Sequence, residues 1–282
     1  MPMRLAALLL LLPLAAMAED AAPSPVTSVA IDENTTVAIA TVEASHTDIL
    51  AVIENGELIW SQAGFYLQFG APPGQDIAPG TDITGSGVPE LLISEYSGGA
   101  HCCTTYYVYA FEPFFRRLAV IPTLDAGARF EDLDGKPGLE VVTADMTFAY
   151  WNTYYAASPK PRVVFAWNGT DYVAAPALMA TPAPDAADLA TQAQGVAASD
   201  QWTADALDPD LWRTMLDLIY GGHADLAWTF LDNGWPAGRD GKEAFRRDFS
   251  CTLQGSPWWP AVAELNGLGD GPLVTDCPPA EG

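Results

Sequence analysis

The stretch YSGGAHCC, residues 96–103, places a histidine directly before two adjacent cysteines. Thiolates and imidazoles bind zinc or act in nucleophilic catalysis, so His101, Cys102 and Cys103 are candidates for a metal or thiol site. Neighbouring side chains of a strand point to opposite faces, and the chain has no C-x-x-C pair. The spacing therefore favours a disulfide role for the cysteines, with a thiol or metal protein as the alternative.

Two acids, Glu95 and Asp145, each end a predicted strand and occupy equivalent positions of two similar segments. Two carboxylates separated by roughly 5–10 Å can cleave a glycosidic bond, so this pair is a candidate catalytic site. The alternative is that both are solvated acids or accept hydrogen bonds from tyrosines. The segment FAYWNTYY, residues 148–155, is a candidate recognition surface. Its candidate ligand-binding residues are Tyr150, Trp151, Tyr154 and Tyr155.

The N-terminus has the features of a secretory signal peptide. Arg4 precedes an apolar run over residues 5–16, and the sequence AMA at 16–18 supplies a small-x-small cleavage site. The run is shorter than the roughly 20 residues that span a bilayer. We predict that residues 1–18 are removed, and that the mature protein has no membrane span and is periplasmic or secreted.

The charge balance restricts the expected partners. The chain has 36 Asp and Glu against 12 Lys and Arg, a formal net charge of −24. Nucleic-acid binding depends on cations that neutralise phosphates, and an anionic membrane attracts the same side chains. We therefore expect no nucleic acid and no anionic membrane as partner, and instead an unknown protein or glycan of the cell envelope.

An even number of cysteines in an exported chain predicts disulfides. One arrangement joins Cys102 to Cys103 and Cys251 to Cys277. The other joins Cys102 and Cys103 to the two C-terminal cysteines and would tie helices to the sheet. The sequence leaves both arrangements open.

The elements that must position these residues begin with a β region over residues 37–176, after a lead-in at 19–36. Short runs of β-branched and aromatic residues alternate there with Gly, Pro, Asn and Asp, which predicts nine strands. Asn-Gly pairs at 55–56 and 168–169 predict type I′ hairpins.

The composition then changes. Residues 177–207 are rich in Ala, Pro and Asp and predict a linker or a weak helix, whereas residues 208–282 predict helices with a Pro- and Gly-rich tail. Asp208 and Pro209 have the pattern of an N-cap and a first helical residue. The apolar face of this helix consists of Leu211, Trp212, Met215, Leu216, Leu218 and Ile219. The predicted fold class is α+β, with an all-β N-terminal domain and a small α-helical C-terminal part.

An internal repeat is the strongest pattern in the chain. DITGSGVPELL at 82–92 matches DLDGKPGLEVV at 132–142 without a gap, at an offset of 50 residues. The two segments share, at equivalent positions, an aspartate, an aliphatic residue, a glycine, a glutamate and an apolar pair. Periods of this length indicate propeller or array architectures.

These two segments resemble the calcium loop and following strand of FG-GAP/VCBS-type repeats, the blades of integrin-α-like propellers. The resemblance covers one segment in each of two places and leaves the helical part outside. It implies strand-loop-strand blades. The number of predicted strands favours an incomplete propeller or a rolled antiparallel sheet over a closed ring.

The resemblance also implies Ca²⁺ as a candidate cofactor, held by oxygens at the first, third, fifth and ninth loop positions. The candidate ligands are Asp82, Thr84, Ser86 and Glu90 in the first loop, and Asp132, Asp134 and Glu140 in the second. Hydroxyls replace two carboxylates in the first loop, and Lys136 places a cation in the second. We therefore expect Asp82 and Asp132 to hold their turns through backbone N–H groups.

From these patterns we predict an exported, non-catalytic binding module that recognises a protein or glycan through its aromatic loop. A glycan hydrolase using Glu95 and Asp145 is one alternative. A thiol or metal protein at His101, Cys102 and Cys103 is the other.

Overall fold

The computed structural model describes residues 26–71, 75, 77–100, 103–204, 206–269 and 273–277. The predicted signal peptide, His101 and Cys102 lie outside these residues. The described chain contains three four-stranded antiparallel sheets followed by six α-helices, which confirms the α+β class. The chain divides into two compact units after Leu67, a division that the sequence patterns did not indicate.

The first unit is a four-stranded meander. Its strands are β1 (Val26–Ala30), β2 (Thr35–Val42), β3 (Thr47–Glu54) and β4 (Glu57–Gly64). Burial alternates along β2 and β3, as a sheet with one covered face requires. Asn55 and Gly56 both have positive φ, 52° and 79°, which confirms the predicted turn between β3 and β4. Strand β1 lies in the segment that we expected to be a lead-in.

The second unit begins with two further meanders. The first consists of β5 (Gln68–Phe69), β6 (Glu90–Tyr96), β7 (Thr104–Ala110) and β8 (Arg116–Leu124). The second consists of β9 (Arg129–Glu131), β10 (Glu140–Ala144), β11 (Arg162–Trp167) and β12 (Tyr172–Ala174). Each is antiparallel, with strands adjacent in sequence also adjacent in the sheet.

The two aspartate-led segments have the same local structure. Glu90 pairs with Thr81 in the first, and Glu140 pairs with Glu131 in the second, again at an offset of 50 residues. The third residue after each leading aspartate is a glycine with φ of +73°. Each segment is therefore the same turn followed by a strand.

The two turns also touch each other. The Leu139 N–H donates to the Ile83 carbonyl at 2.8 Å, and the Tyr172 hydroxyl lies 3.0 and 3.1 Å from the carbonyl oxygens of these residues. A Cβ at Gly85 would lie 2.2 Å from the Pro137 carbonyl oxygen. Glycine is required there because the backbones approach so closely.

Six helices complete the second unit. They are α1 (Pro176–Met179), α2 (Ala186–Ala197), α3 (Pro209–Tyr220), α4 (Ala224–Gly234), α5 (Lys242–Gln254) and α6 (Trp259–Leu265). Every predicted apolar position of α3 is buried, and the Asp208 carboxylate caps the helix by accepting from the Asp210 N–H. Helix α2 occupies the segment predicted as a linker or weak helix. It is stabilised by the Asp185 cap and by three buried side chains.

The second Asn-Gly turn differs from the prediction. Only Gly169 of the pair has positive φ, so the turn is not type I′. The Asn168 carboxamide oxygen instead accepts from the N–H groups of Thr170 and Asp171, both at 2.9 Å. This local bonding by Asn is the competing turn chemistry. Among the helices that the structure describes, none has the length and apolarity needed to cross a bilayer.

Candidate functional site

The aromatic segment between β10 and β11 divides into buried and exposed side chains. Phe148 is fully buried, whereas Tyr150 and Tyr154 are 57% and 71% exposed. Tyr155 begins a short 3₁₀ helix and is half-buried. Large exposed aromatic side chains clustered on one loop are typical of recognition surfaces.

Trp151, which the sequence predicted as part of the binding surface, instead packs into the core. Its ring lies 5.3 Å from Phe148, 5.8 Å from Trp212 on α3, and 5.6 and 5.9 Å from Phe245 and Phe249 on α5. Trp151 is therefore partly buried and anchors the segment to the helices.

The loop backbone is fixed around this anchor. Tyr150 and Asn152 have φ of 62° and 52°, a region that non-glycine residues adopt at a cost in conformational energy. The Tyr150 N–H donates to the Ser158 hydroxyl at 2.9 Å, and Arg213 of α3 donates to the Ala157 carbonyl at 2.6 Å. These contacts hold the exposed tyrosines in one arrangement.

Two of the remaining aromatic residues of this segment are in contact, and Tyr154 directly precedes one of them in the sequence. The rings of Tyr150 and Tyr155 lie 5.3 Å apart, and the Lys160 ammonium lies 5.1 Å from the centre of the Tyr155 ring. A cation over a tyrosine ring is attracted by the negative face of the π system. We call Tyr150, Tyr154 and Tyr155 the tyrosine surface.

The two candidate catalytic carboxylates differ in environment. Asp145 is 2% exposed and accepts hydrogen bonds from the Tyr220 hydroxyl, the Ser256 hydroxyl and the Thr147 N–H. Burial, followed by the neighbouring Asp145 carboxylate, raises the pKa of Tyr220. Glu95 is half-buried and accepts from the Tyr107 hydroxyl at 2.6 Å. Asp145 thus has the surroundings of a structural carboxylate, which argues against a direct role on an external glycan.

In the first candidate calcium loop, the Glu90 carboxylate is occupied by hydrogen bonds from the loop itself. One oxygen of Glu90 accepts from the N–H groups of Ile83 and Thr84, and the other accepts from the hydroxyls of Thr84 and Ser86. A carboxylate has about four acceptor sites, and all four of these bonds are made inside the loop. The Asp82 carboxylate accepts from the Gly87 N–H at 3.0 Å, as expected for an aspartate that holds the turn.

The second loop retains the arrangement of ligands. One oxygen each of Asp132, Asp134 and Glu140 lie within 4.8 Å of one another. However, the Lys136 ammonium lies 2.6 Å from Asp134 Oδ2, and its hydrogen bond lowers the pKa of Asp134. The lysine therefore supplies a positive charge inside this loop, so the loop fits a divalent cation only if Lys136 moves away.

The cysteines form disulfides. Cys251 of α5 is bonded to Cys277, so the arrangement that ties both C-terminal cysteines to the sheet is wrong. Cys103 is also disulfide-bonded, and no described cysteine has a free thiol. The thiol site proposed at His101 and Cys102 lies outside the described residues.

The structure contains a polar cavity that the sequence patterns did not predict. It has a volume of about 510 Å³ and lies where β7 and β11 begin and where β8 and β10 end. Lys160 lines this cavity and also contacts the tyrosine surface. Its lining residues are spread from Thr104 to Arg162 and share no local motif, so only the folded chain brings them together.

Comparison with known proteins gives little further information. No family model and no solved structure matches the chain. It is 30% identical over 82 residues to the uncharacterized protein y4bJ of Sinorhizobium fredii (strain NBRC 101917 / NGR234). The match covers 29% of this chain and 13% of that protein, so the chain spans only a small part of its relative.

Proposed function

We propose that the protein is an exported, non-catalytic binding module whose tyrosine surface recognises a glycan of the cell envelope. The observation that carries the proposal is the display of Tyr150 and Tyr154 on a loop anchored by the partly buried Trp151. Exposed aromatic rings stack on the apolar faces of sugar rings, and a pre-arranged loop lowers the entropy lost on binding.

The same proposal includes an architecture of FG-GAP-like blades and a location in the periplasm or outside the cell. The paired four-stranded meanders with equivalent aspartate-led turns support the blades. The Cys251–Cys277 disulfide supports an oxidising compartment. Intact mass of the protein recovered from the producing cell tests export, with a mature chain beginning at Glu19 as the expected result.

The non-catalytic role is supported by the burial and full hydrogen bonding of Asp145. A glycosidase needs two carboxylates that both reach the substrate. A hydrolase built on Glu95 and Asp145 would have to break the contacts between Asp145 and the helices before it could act.

Co-sedimentation with purified peptidoglycan sacculi and with an insoluble neutral polysaccharide tests the recognition. The variant Tyr150→Ala/Tyr154→Ala is expected to lose most of the wild-type retention. Phe114→Ala is the matched control, because Phe114 is 64% exposed and lies on another loop of the same unit. Equal retention of wild type and double variant, or release of reducing sugar by the wild type, would contradict the proposal.

A further inference from the structure

The polar cavity concentrates positive charge in an acidic chain. Three of the twelve basic residues, Arg129, Lys160 and Arg162, line it together with a single carboxylate, Asp125. The other 35 of the 36 acids lie elsewhere in the chain, and their charge repels anions from most of the surface. The charged residues of this cavity are mainly cations, so an anion would be stabilised there.

Among the residues that the structure describes, two of these cations have no acidic partner. Within the described residues, the Lys160 ammonium contacts the Tyr155 ring and Arg162 donates one hydrogen bond to the Leu178 carbonyl, and neither forms an ion pair. A guanidinium has five N–H donors, so most of those of Arg162 remain available to a ligand. Arg129 pairs with Glu131 through a side chain that is 67% exposed.

A buried hydroxyl also lines the cavity. Tyr106 is 1% exposed, and its hydroxyl oxygen accepts from the Ala128 N–H at 3.1 Å. No acceptor in the described part of the chain takes its hydroxyl hydrogen. Burial raises the pKa of Tyr106, so the hydroxyl keeps this proton at neutral pH. The Thr143 hydroxyl donates to the Gly127 carbonyl at 2.6 Å and so presents its oxygen as an acceptor.

We propose that this cavity binds a small dianion that also carries hydroxyl groups, either a phosphate monoester or a hydroxylated dicarboxylate. Lys160 and Arg162 contact the anionic groups, and Tyr106 donates a hydrogen bond to one of their oxygens. The hydroxyl groups of the ligand donate to Asp125 and Thr143. The volume of about 510 Å³ matches pockets for small molecules. This site goes beyond the tyrosine surface, which it contacts through Lys160 and Tyr155.

Isothermal titration calorimetry at low ionic strength tests the site with inorganic phosphate, tartrate and succinate, and with glucose as a neutral probe. We expect tartrate to bind more tightly than succinate because only tartrate carries hydroxyl groups, and glucose not to bind. Binding of phosphate would identify the phosphate monoester as the ligand class, and binding of tartrate the dicarboxylate. High salt is expected to weaken binding because the cations are exposed.

Lys160→Gln and Tyr106→Phe are each expected to weaken dianion binding by about tenfold, the usual effect of one charge-assisted hydrogen bond. Arg247→Gln is the control, since it makes the same charge change on α5, outside the cavity lining. Absence of dianion binding to the wild type, or an equal loss in Arg247→Gln, would overturn the proposal. Tyr150→Ala/Tyr154→Ala is expected to retain dianion binding, which separates this test from that of the tyrosine surface.

Discussion

Replacing Asp145 is the sharpest test of how the sheet and the helices are joined. Its carboxylate follows β10 and accepts from Tyr220 at the end of α3 and from Ser256 after α5. All three residues are buried, at 2%, 3% and 5% exposure. Asp145→Ala would leave both hydroxyls without an acceptor in a region that water does not reach.

The expected loss follows from these contacts. Each hydrogen bond to a charged group contributes about 1.5–3 kcal/mol, and an unsatisfied buried donor costs about 1–3 kcal/mol. Two buried hydroxyls therefore predict that Asp145→Ala lowers the free energy of unfolding by about 3–5 kcal/mol, the range for breaking a buried charged contact. Tyr220→Phe and Ser256→Ala remove one donor each, so each should cost about 1.5–3 kcal/mol.

Urea unfolding at pH 7, followed by tryptophan fluorescence, measures these losses. Eight of the nine tryptophans lie in the second unit, so the signal reports the unit that contains Asp145. Asp145→Asn retains the volume but loses the charge and is expected to fall between Asp145→Ala and the single-hydroxyl variants. A loss below about 1 kcal/mol for Asp145→Ala would refute the assignment of this carboxylate as a structural link.

Other perturbations have equally specific outcomes. Replacement of Cys251 and Cys277 by serines should lower the free energy of unfolding by about 3–4 kcal/mol, given the separation of 26 residues; guanidinium unfolding of the wild type and the double variant checks it. Lys136→Asp should create a calcium-dependent rise in Tm that the wild type lacks, because it removes the ammonium from Asp134. Burial raises the pKa of five tyrosines, to about 12 for Tyr109. The stability that depends on these protonated hydroxyls is therefore fully present below about pH 10, the pKa in the unfolded chain, and is lost as the pH rises through the higher pKa of the folded protein. Spectrophotometric titration should show these residues ionising only with alkaline unfolding; they are Tyr106, Tyr107, Tyr109, Tyr172 and Tyr220.

Local patterns were enough to predict much of the fold. The apolar positions of α3 repeat with helical spacing after an Asp-Pro start, and the structure buries all of them. The match between residues 82–92 and 132–142 predicted two equivalent segments, because equal turn residues impose equal backbone geometry. Strands β1, β5 and β9 were missed. The last two are very short, and β1 is mostly exposed and lacks strong alternation.

The site was less predictable because its geometry depends on contacts distant in sequence. The segment FAYWNTYY contains no sign that Trp151 faces inward while Tyr150 faces out, since this requires positive φ at Tyr150 and partners on α3 and α5. The polar cavity also could not be predicted from local sequence patterns. Arg129, Lys160 and Arg162 are ordinary isolated cations in the sequence, and they converge only when β9 and β11 assemble in one sheet.

The two aspartate-led turns have the same backbone shape, although their side chains are weaker calcium ligands than those of the repeats they resemble. In the first turn, hydroxyl and N–H groups donate hydrogen bonds that stabilise the buried Glu90 carboxylate, which is 0% exposed. In the second, an ammonium on Lys136 lies at the acidic residues, while Glu140 accepts from the Leu133 N–H at 2.8 Å. A buried carboxylate needs compensating donors or cations, whichever group provides them. Because the two turns also bond to each other through Ile83 and Leu139, their shape is set by mutual packing, and it can survive without an ion in either loop.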